Sequence, residues 1–102
     1  MRVILRPTAR MDAREIAKFY KDGGGRPVAM AFQNRLTDAL KLITDNPEAG
    51  STRFGTVSGV STLRMWPMRD FPYLVFYTVA TNTIAVTRIL HSARDIPPTL
   101  RE

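Results

Sequence analysis

The sequence predicts an α+β fold in the order β-α-α-β-β-β, an antiparallel sheet with an N-terminal helical hairpin packed on one face. Three observations predict it. Two long stretches in the first half place apolar residues at helical spacing, and Gly23-Gly24-Gly25 separates them. The last third holds dense runs rich in Val, Ile, Phe and Tyr, divided at residues 67–72 and again by the short connection Ala80-Thr81-Asn82-Thr83, the pattern of paired strands. A short apolar run, RVILR, opens the chain and is stopped by Pro7, which has no N–H for a sheet ladder. With 102 residues, the expectation is a single domain spanning 1–102.

Strand one is expected over residues 2–6, joining the sheet at an edge. Thr8 then suits the N-cap of a helix whose buried stripe is Ala9, Ala13, Ile16, Ala17 and Tyr20, with Arg10, Arg14, Lys18 and Lys21 over the remaining surface. Three successive glycines end it. They do not make a phosphate loop, because no strand precedes them and no Gly-Lys-Ser/Thr follows. Pro27 suits the first turn of a second helix, with the stripe Phe32, Leu36, Ala39, Leu40 and Ile43. Pro47 disfavours helical dihedrals in the residue before it, so this helix should stop near Asp45-Asn46. Residues 48–61 are rich in Gly, Ser and Thr and read as a loop, with Arg53 and Phe54 as anchors. Strands follow at 63–66, 73–79 and 83–91 as an antiparallel meander.

Regular alternation in the last strand would put Ile84, Val86, Arg88 and Leu90 on one face and Ala85, Thr87, Ile89 and His91 on the other. Arg88 and His91 then point apart, unless a bulge near Leu90 or a turn beginning there brings them together.

The hydrophobic share of 44% and charged share of 24% are those of an ordinary globular protein. There is no cysteine, which excludes disulfides and thiolate metal sites, and one histidine with scattered acids provides no metal-ligand cluster. No cofactor is expected. The N-terminal apolar stretch is too short for a signal-peptide core, so a cytoplasmic protein is expected. The net charge of +6 favours an anionic partner, and after Lys41 every cationic residue apart from His91 is arginine, whose planar fork suits carboxylates and phosphates. Arg64, Arg69, Arg88, His91, Arg94 and Asp95 are the candidate target-binding residues. A histidine at a strand end also serves to cap a backbone carbonyl or to pack on an aromatic ring, and adjacent opposite charges such as Arg94-Asp95 serve to fix a loop.

Trp66-Pro67 with Arg69, then Phe71-Pro72-Tyr73-Leu74-Val75-Phe76-Tyr77, then Arg88-Ile89-Leu90-His91 with Arg94-Asp95, resembles the ParE branch of the RelE/ParE toxin superfamily. Asn46-Pro47-Glu48-Ala49-Gly50 leading to Arg53 agrees with it. The resemblance implies the toxin of a bacterial type II toxin–antitoxin pair, held in a hetero-oligomer by a ParD-like antitoxin, with DNA gyrase as target. It implies a role in plasmid stabilization, no membrane association, and DNA binding by the antitoxin instead of this chain. RelE-like relatives of the same fold cut messenger RNA on the ribosome, so the site must decide between the two. Cutting through the 2′-hydroxyl needs a proton acceptor, a proton donor and cations around the phosphate. His91 with Arg64 and Arg88 is the set available for that chemistry. The RelE-like nucleases carry a tyrosine near the C-terminus, whereas here no tyrosine follows Tyr77. A binding toxin that needs no catalytic residue is therefore the leading expectation, with a nuclease or an inactive relative that keeps only antitoxin binding as alternatives.

Overall fold

A computed structural model describes residues 1–96, and at Thr56 and Val57 the backbone alone. The tail 97–102, expected to be proline-stiffened, lies outside the described residues. The elements are β1 (Arg2–Leu5), α1 (Pro7–Gly24), α2 (Arg26–Asp45), α3 (Gly55–Ser58), β2 (Arg64–Pro67), β3 (Tyr73–Val79) and β4 (Thr83–His91). Among the described residues no helix is long and apolar enough to cross a membrane.

α1 begins with Pro7, whose fixed φ suits a first turn. Arg6 is therefore the cap residue and makes no side-chain cap bond. Thr8, expected as the cap, lies inside the helix and sends its hydroxyl elsewhere. The helix also runs on through two of the three glycines. Gly25 makes the break, with φ at +88°, a conformation that a residue carrying Cβ rarely adopts, while its N–H donates to the Lys21 carbonyl at 2.9 Å. α2 ends at Asp45, before Asn46-Pro47.

The sheet order is β1-β4-β3-β2. β2, β3 and β4 form the antiparallel meander, but β1 lies parallel to β4, with Arg2 opposite Thr83 and Leu5 opposite Val86. The sheet is thus mixed and not wholly antiparallel. β1 is separated from β4 by the helical hairpin and two strands, a connection long enough for parallel pairing, which no tight turn could supply. Pro67 ends β2 at the opposite edge, where its missing N–H leaves no ladder bond unmade.

Both sheet faces are covered. On one, Ala9 and Ile16 of α1 and Phe32, Leu36, Ala39 and Ile43 of α2 bury against Tyr73, Val75, Tyr77, Ile84, Val86 and Ile89. On the other, Phe54, Met65, Phe76 and Ile96 form a second cluster with Leu63, Leu74 and Leu90 around it. The stretch expected to be a plain loop supplies that cover: it contains α3, inserts Phe54 at 4% exposure, and lays the Arg53 guanidinium over the Phe54 ring at 4.9 Å.

Candidate functional site

β1 accompanies β4 only as far as Val86, so the outer edge of β4 beyond that point has no strand neighbour. α1 covers this edge with two side chains one helical turn apart. The Thr8 hydroxyl donates to the Thr87 carbonyl at 2.9 Å. Asp12 accepts the Ile89 N–H at 2.9 Å, and its two oxygens receive Nε and NH2 of Arg88 at 2.8 and 3.0 Å. A fork-on-carboxylate pair of this kind fixes direction as well as distance. The hydrogen bonds to Asp12 are the main reason that the Arg88 guanidinium is held above its usual range, with burial working against them.

A bulge sits here, though not where regular alternation would need it. Phe76 pairs with Arg88 and Tyr77 with Val86, leaving Thr87 as the extra residue. Ile84, Val86 and Ile89 consequently all pack on the helical side, whereas Leu90 packs with the second cluster. The expected grouping of Ile84, Val86, Arg88 and Leu90 is broken between Val86 and Arg88. Because the bulge precedes both residues, Arg88 and His91 lie on either side of the strand: Arg88 is opposite Phe76, and His91 is opposite Tyr73.

The chain after β4 closes on itself. His91 Nδ1 accepts the N–H groups of Ala93 and Arg94 at 3.0 and 3.1 Å, and the His91 N–H donates to Asp95 Oδ2 at 2.9 Å. The imidazole also meets the Tyr73 ring edge-on, with centroids 5.3 Å apart. Arg94 reaches the Tyr73 hydroxyl at 3.4 Å, and its guanidinium lies 5.7 Å from the centre of the exposed Phe19 ring. His91, Arg94 and Asp95 thus come together with Tyr73, a residue that is itself only 2% exposed.

Arg64 does not join them. It starts the edge strand β2 and donates NH1 to the carbonyls of Glu48 at 2.6 Å and Gly50 at 2.9 Å. Beside it the Tyr77 hydroxyl donates to the Pro47 carbonyl at 2.9 Å and accepts the Gly50 N–H at 3.0 Å. Arg64 and Tyr77 together fasten the Asn46–Gly50 segment, whose backbone groups have few other partners. Arg69 is exposed in the turn between β2 and β3.

A groove of about 570 Å³ runs beside Arg88. Leu63, Phe76 and Leu90 give it an apolar wall, and Asp12, Glu15 and Asp95 bring three carboxylates to the one guanidinium. This is not the cationic cradle expected for a phosphate, because the local charge is negative in a chain whose net charge is +6. Among the described residues no group of three or more His, Cys, Asp or Glu is placed to hold a metal ion. For proton transfer, His91 offers an Nδ1 lone pair already taken by two backbone N–H groups. Asp12, Glu15 and Phe19 were missed in the sequence. Their signal is the spacing of Thr8, Asp12, Glu15 and Phe19 along one side of α1, which leaves a carboxylate between Arg10 and Arg14.

The fold is similar to that of a solved chain described as "Chromosomal ParDE TA system from P. aeruginosa". That chain is 20% identical, with 89% of this chain and 95% of that one covered and a TM-score of 0.74. The family model for the ParE toxin of the type II toxin–antitoxin system, parDE, matches residues 3–96, and the chain belongs to that family. No individually curated protein matches the sequence.

Proposed function

We propose that this chain is the toxin of a type II pair that inhibits DNA gyrase by binding it, and that a ParD-like antitoxin neutralises it in a hetero-oligomeric complex. Family membership supports the toxin class. The observation that carries the choice of binding over cutting is the state of His91: its Nδ1 caps two backbone N–H groups, and the tyrosine beside it, Tyr73, is buried. Arg88 adds to this, since its fork is filled by Asp12 and carboxylates surround it, so a phosphate would meet repulsion there. The target surface on this reading is Arg88, His91, Arg94 and Asp95 at the end of β4, with Arg69 in the neighbouring turn. The toxin acts in the cytoplasm, and a plasmid that carries the pair is stabilised by it.

The test is a gyrase supercoiling assay with the purified chain. Dose-dependent loss of supercoiling, abolished by the antitoxin, is the expected result, and full supercoiling at every dose overturns the proposal. In a translation extract the messenger RNA stays intact, and His91→Ala produces no change there. Cleaved messenger RNA that His91→Ala spares would establish the nuclease reading instead. Expression without the antitoxin arrests growth; a chain that binds antitoxin yet leaves growth unaffected is an inactive relative.

A further inference from the structure

The three carboxylates of the groove beside Arg88 are not equally free. Asp12 is filled by the Arg88 fork and the Ile89 N–H. Asp95 uses Oδ2 on the His91 N–H at 2.9 Å and keeps Oδ1. Glu15, exposed one turn along α1 from Asp12, has neither a hydrogen bond nor an ion pair among the described residues. Three carboxylates against one guanidinium leave the groove negative, and Leu63, Phe76 and Leu90 set an apolar wall beside that charge.

A smaller hollow of about 190 Å³ shares Asp12, Glu15 and Asp95, and there a second cation is already in place: Arg94, bonded to the Tyr73 hydroxyl and lying near the Phe19 ring. The larger groove, about 570 Å³, falls within the range of about 300–1,000 Å³ for ligand sites, and no side chain in it bonds to Glu15.

We infer that the larger groove receives an arginine or lysine side chain from the protein that this chain targets, with Glu15 as the residue that selects it, an inference that rests on the gyrase-binding reading above. Wall and rim together define the occupant. An anion would be repelled by the carboxylates. An uncharged apolar side chain would cover Leu63 and Leu90 but strip water from Glu15 and Asp95 with nothing in exchange. A metal ion does not fit, because the described residues place no group of three or more His, Cys, Asp or Glu to hold one. A basic side chain answers both features: its methylene stem lies along the leucines, and its head reaches Glu15 and the free oxygen of Asp95. The groove borders Arg88 and Asp95 of the target surface, so the target and not the antitoxin is the occupant. It follows that the target is met through its protein surface and not through the phosphates of DNA bound to it.

Glu15→Arg in the supercoiling assay with the full chain is the test, since the exposed Glu15 side chain has no bonded partner whose loss would disturb α1. The dose for half-inhibition rises by about tenfold or more, because two cations now meet. Glu15→Gln, which keeps the size and removes the charge, raises it less. Glu48→Arg, the same reversal beyond the end of α2, leaves it within about twofold. By nuclear magnetic resonance, N-acetyl-arginine amide shifts the backbone amide signals of Glu15, Leu63 and Leu90 in the unaltered chain, Glu15→Arg abolishes those shifts, and N-acetyl-glutamate amide causes none. Inhibition by Glu15→Arg as strong as that of the unaltered chain overturns the inference and leaves gyrase binding standing. An unaltered chain that inhibits at no dose overturns the gyrase reading; shifts with the arginine amide then still uphold a basic ligand in the groove, and their absence overturns the inference too. Glu15→Arg that loses the antitoxin, read by isothermal titration, while still inhibiting gyrase assigns the groove to the antitoxin and overturns the inference as well.

Discussion

Asp12 is 12% exposed at its side chain and accepts three hydrogen bonds from two successive residues of β4. Removing it strands the Ile89 N–H and frees the Arg88 fork. Asp12→Ala is expected to cost about 1–3 kcal/mol, discounted toward the lower end because Arg88 is half exposed, and urea unfolding measures it. Hydrogen exchange at the Ile89 amide should rise by more than the global loss accounts for. Tyr77 makes a second prediction. Burial is the main cause raising its phenol above 10.0, with the Gly50 hydrogen bond and Arg64 opposing. A folded-state value above the unfolded one means the contribution is complete below pH 10.0 and is lost as pH rises through the raised value. Tyr77→Phe should lower stability by about 1–3 kcal/mol at neutral pH and flatten the alkaline limb of the stability curve, both read from denaturant midpoints across pH.

Asp12 and Arg88 show why this part of the site was hard to read from sequence. They are 76 positions apart, and no local pattern joins a helical carboxylate to a strand arginine. His91 was more legible. A histidine at a strand end is expected to cap a backbone carbonyl or to pack on an aromatic ring; His91 packs on Tyr73 and caps backbone amides instead of a carbonyl.

At the scale of elements, hydrophobic spacing located both helices and the strands β3 and β4, because burial on one side imposes a period that the sequence must carry. It did not locate the one-turn helix α3 or the Thr87 bulge. Four residues are too few to show a period, and a bulge is set by what the neighbouring strand and α1 demand. The segment Asn46–Gly50 is held by the Arg64 and Tyr77 side chains, and a Cβ at Gly50 would fall on the Tyr77 hydroxyl. Gly50→Ala is therefore expected to push Tyr77 off its partners and lower the melting temperature, whereas Gly23→Ala, with nothing near it, should not. Phe32, fully buried among Tyr20, Phe71 and Tyr73, anchors α2 to the sheet. Phe32→Ala should cost about 3–5 kcal/mol in equilibrium unfolding, the range for a large core deletion.

Across the whole molecule, the positive charge is divided unevenly. The surface expected to be cationic, around Arg88, is locally acidic, whereas Lys18, Lys21 and Arg26 line a groove between α1 and α2 that has no carboxylate in its lining. Net charge is a sum that carries no address. The two helical faces that decide the matter became visible only once α1 had a sheet on one side and α2 beside it.

The parallel pairing of β1 with β4 also has a consequence in time. β1 finds its hydrogen-bond partner only in β4, 81 positions later for Arg2 and Thr83. Until residues 83–91 have left the ribosome, β1 has no ladder, the open edge of β4 does not exist for Asp12 to close, and Ile84, Val86 and Ile89 are missing from the helix-facing core. A chain cut short before Thr83 should remain unfolded by circular dichroism and be harmless when expressed. On the proposed reading, a chain wired in this way cannot act before β4 is made, and an antitoxin already present has the whole of that delay in which to be waiting.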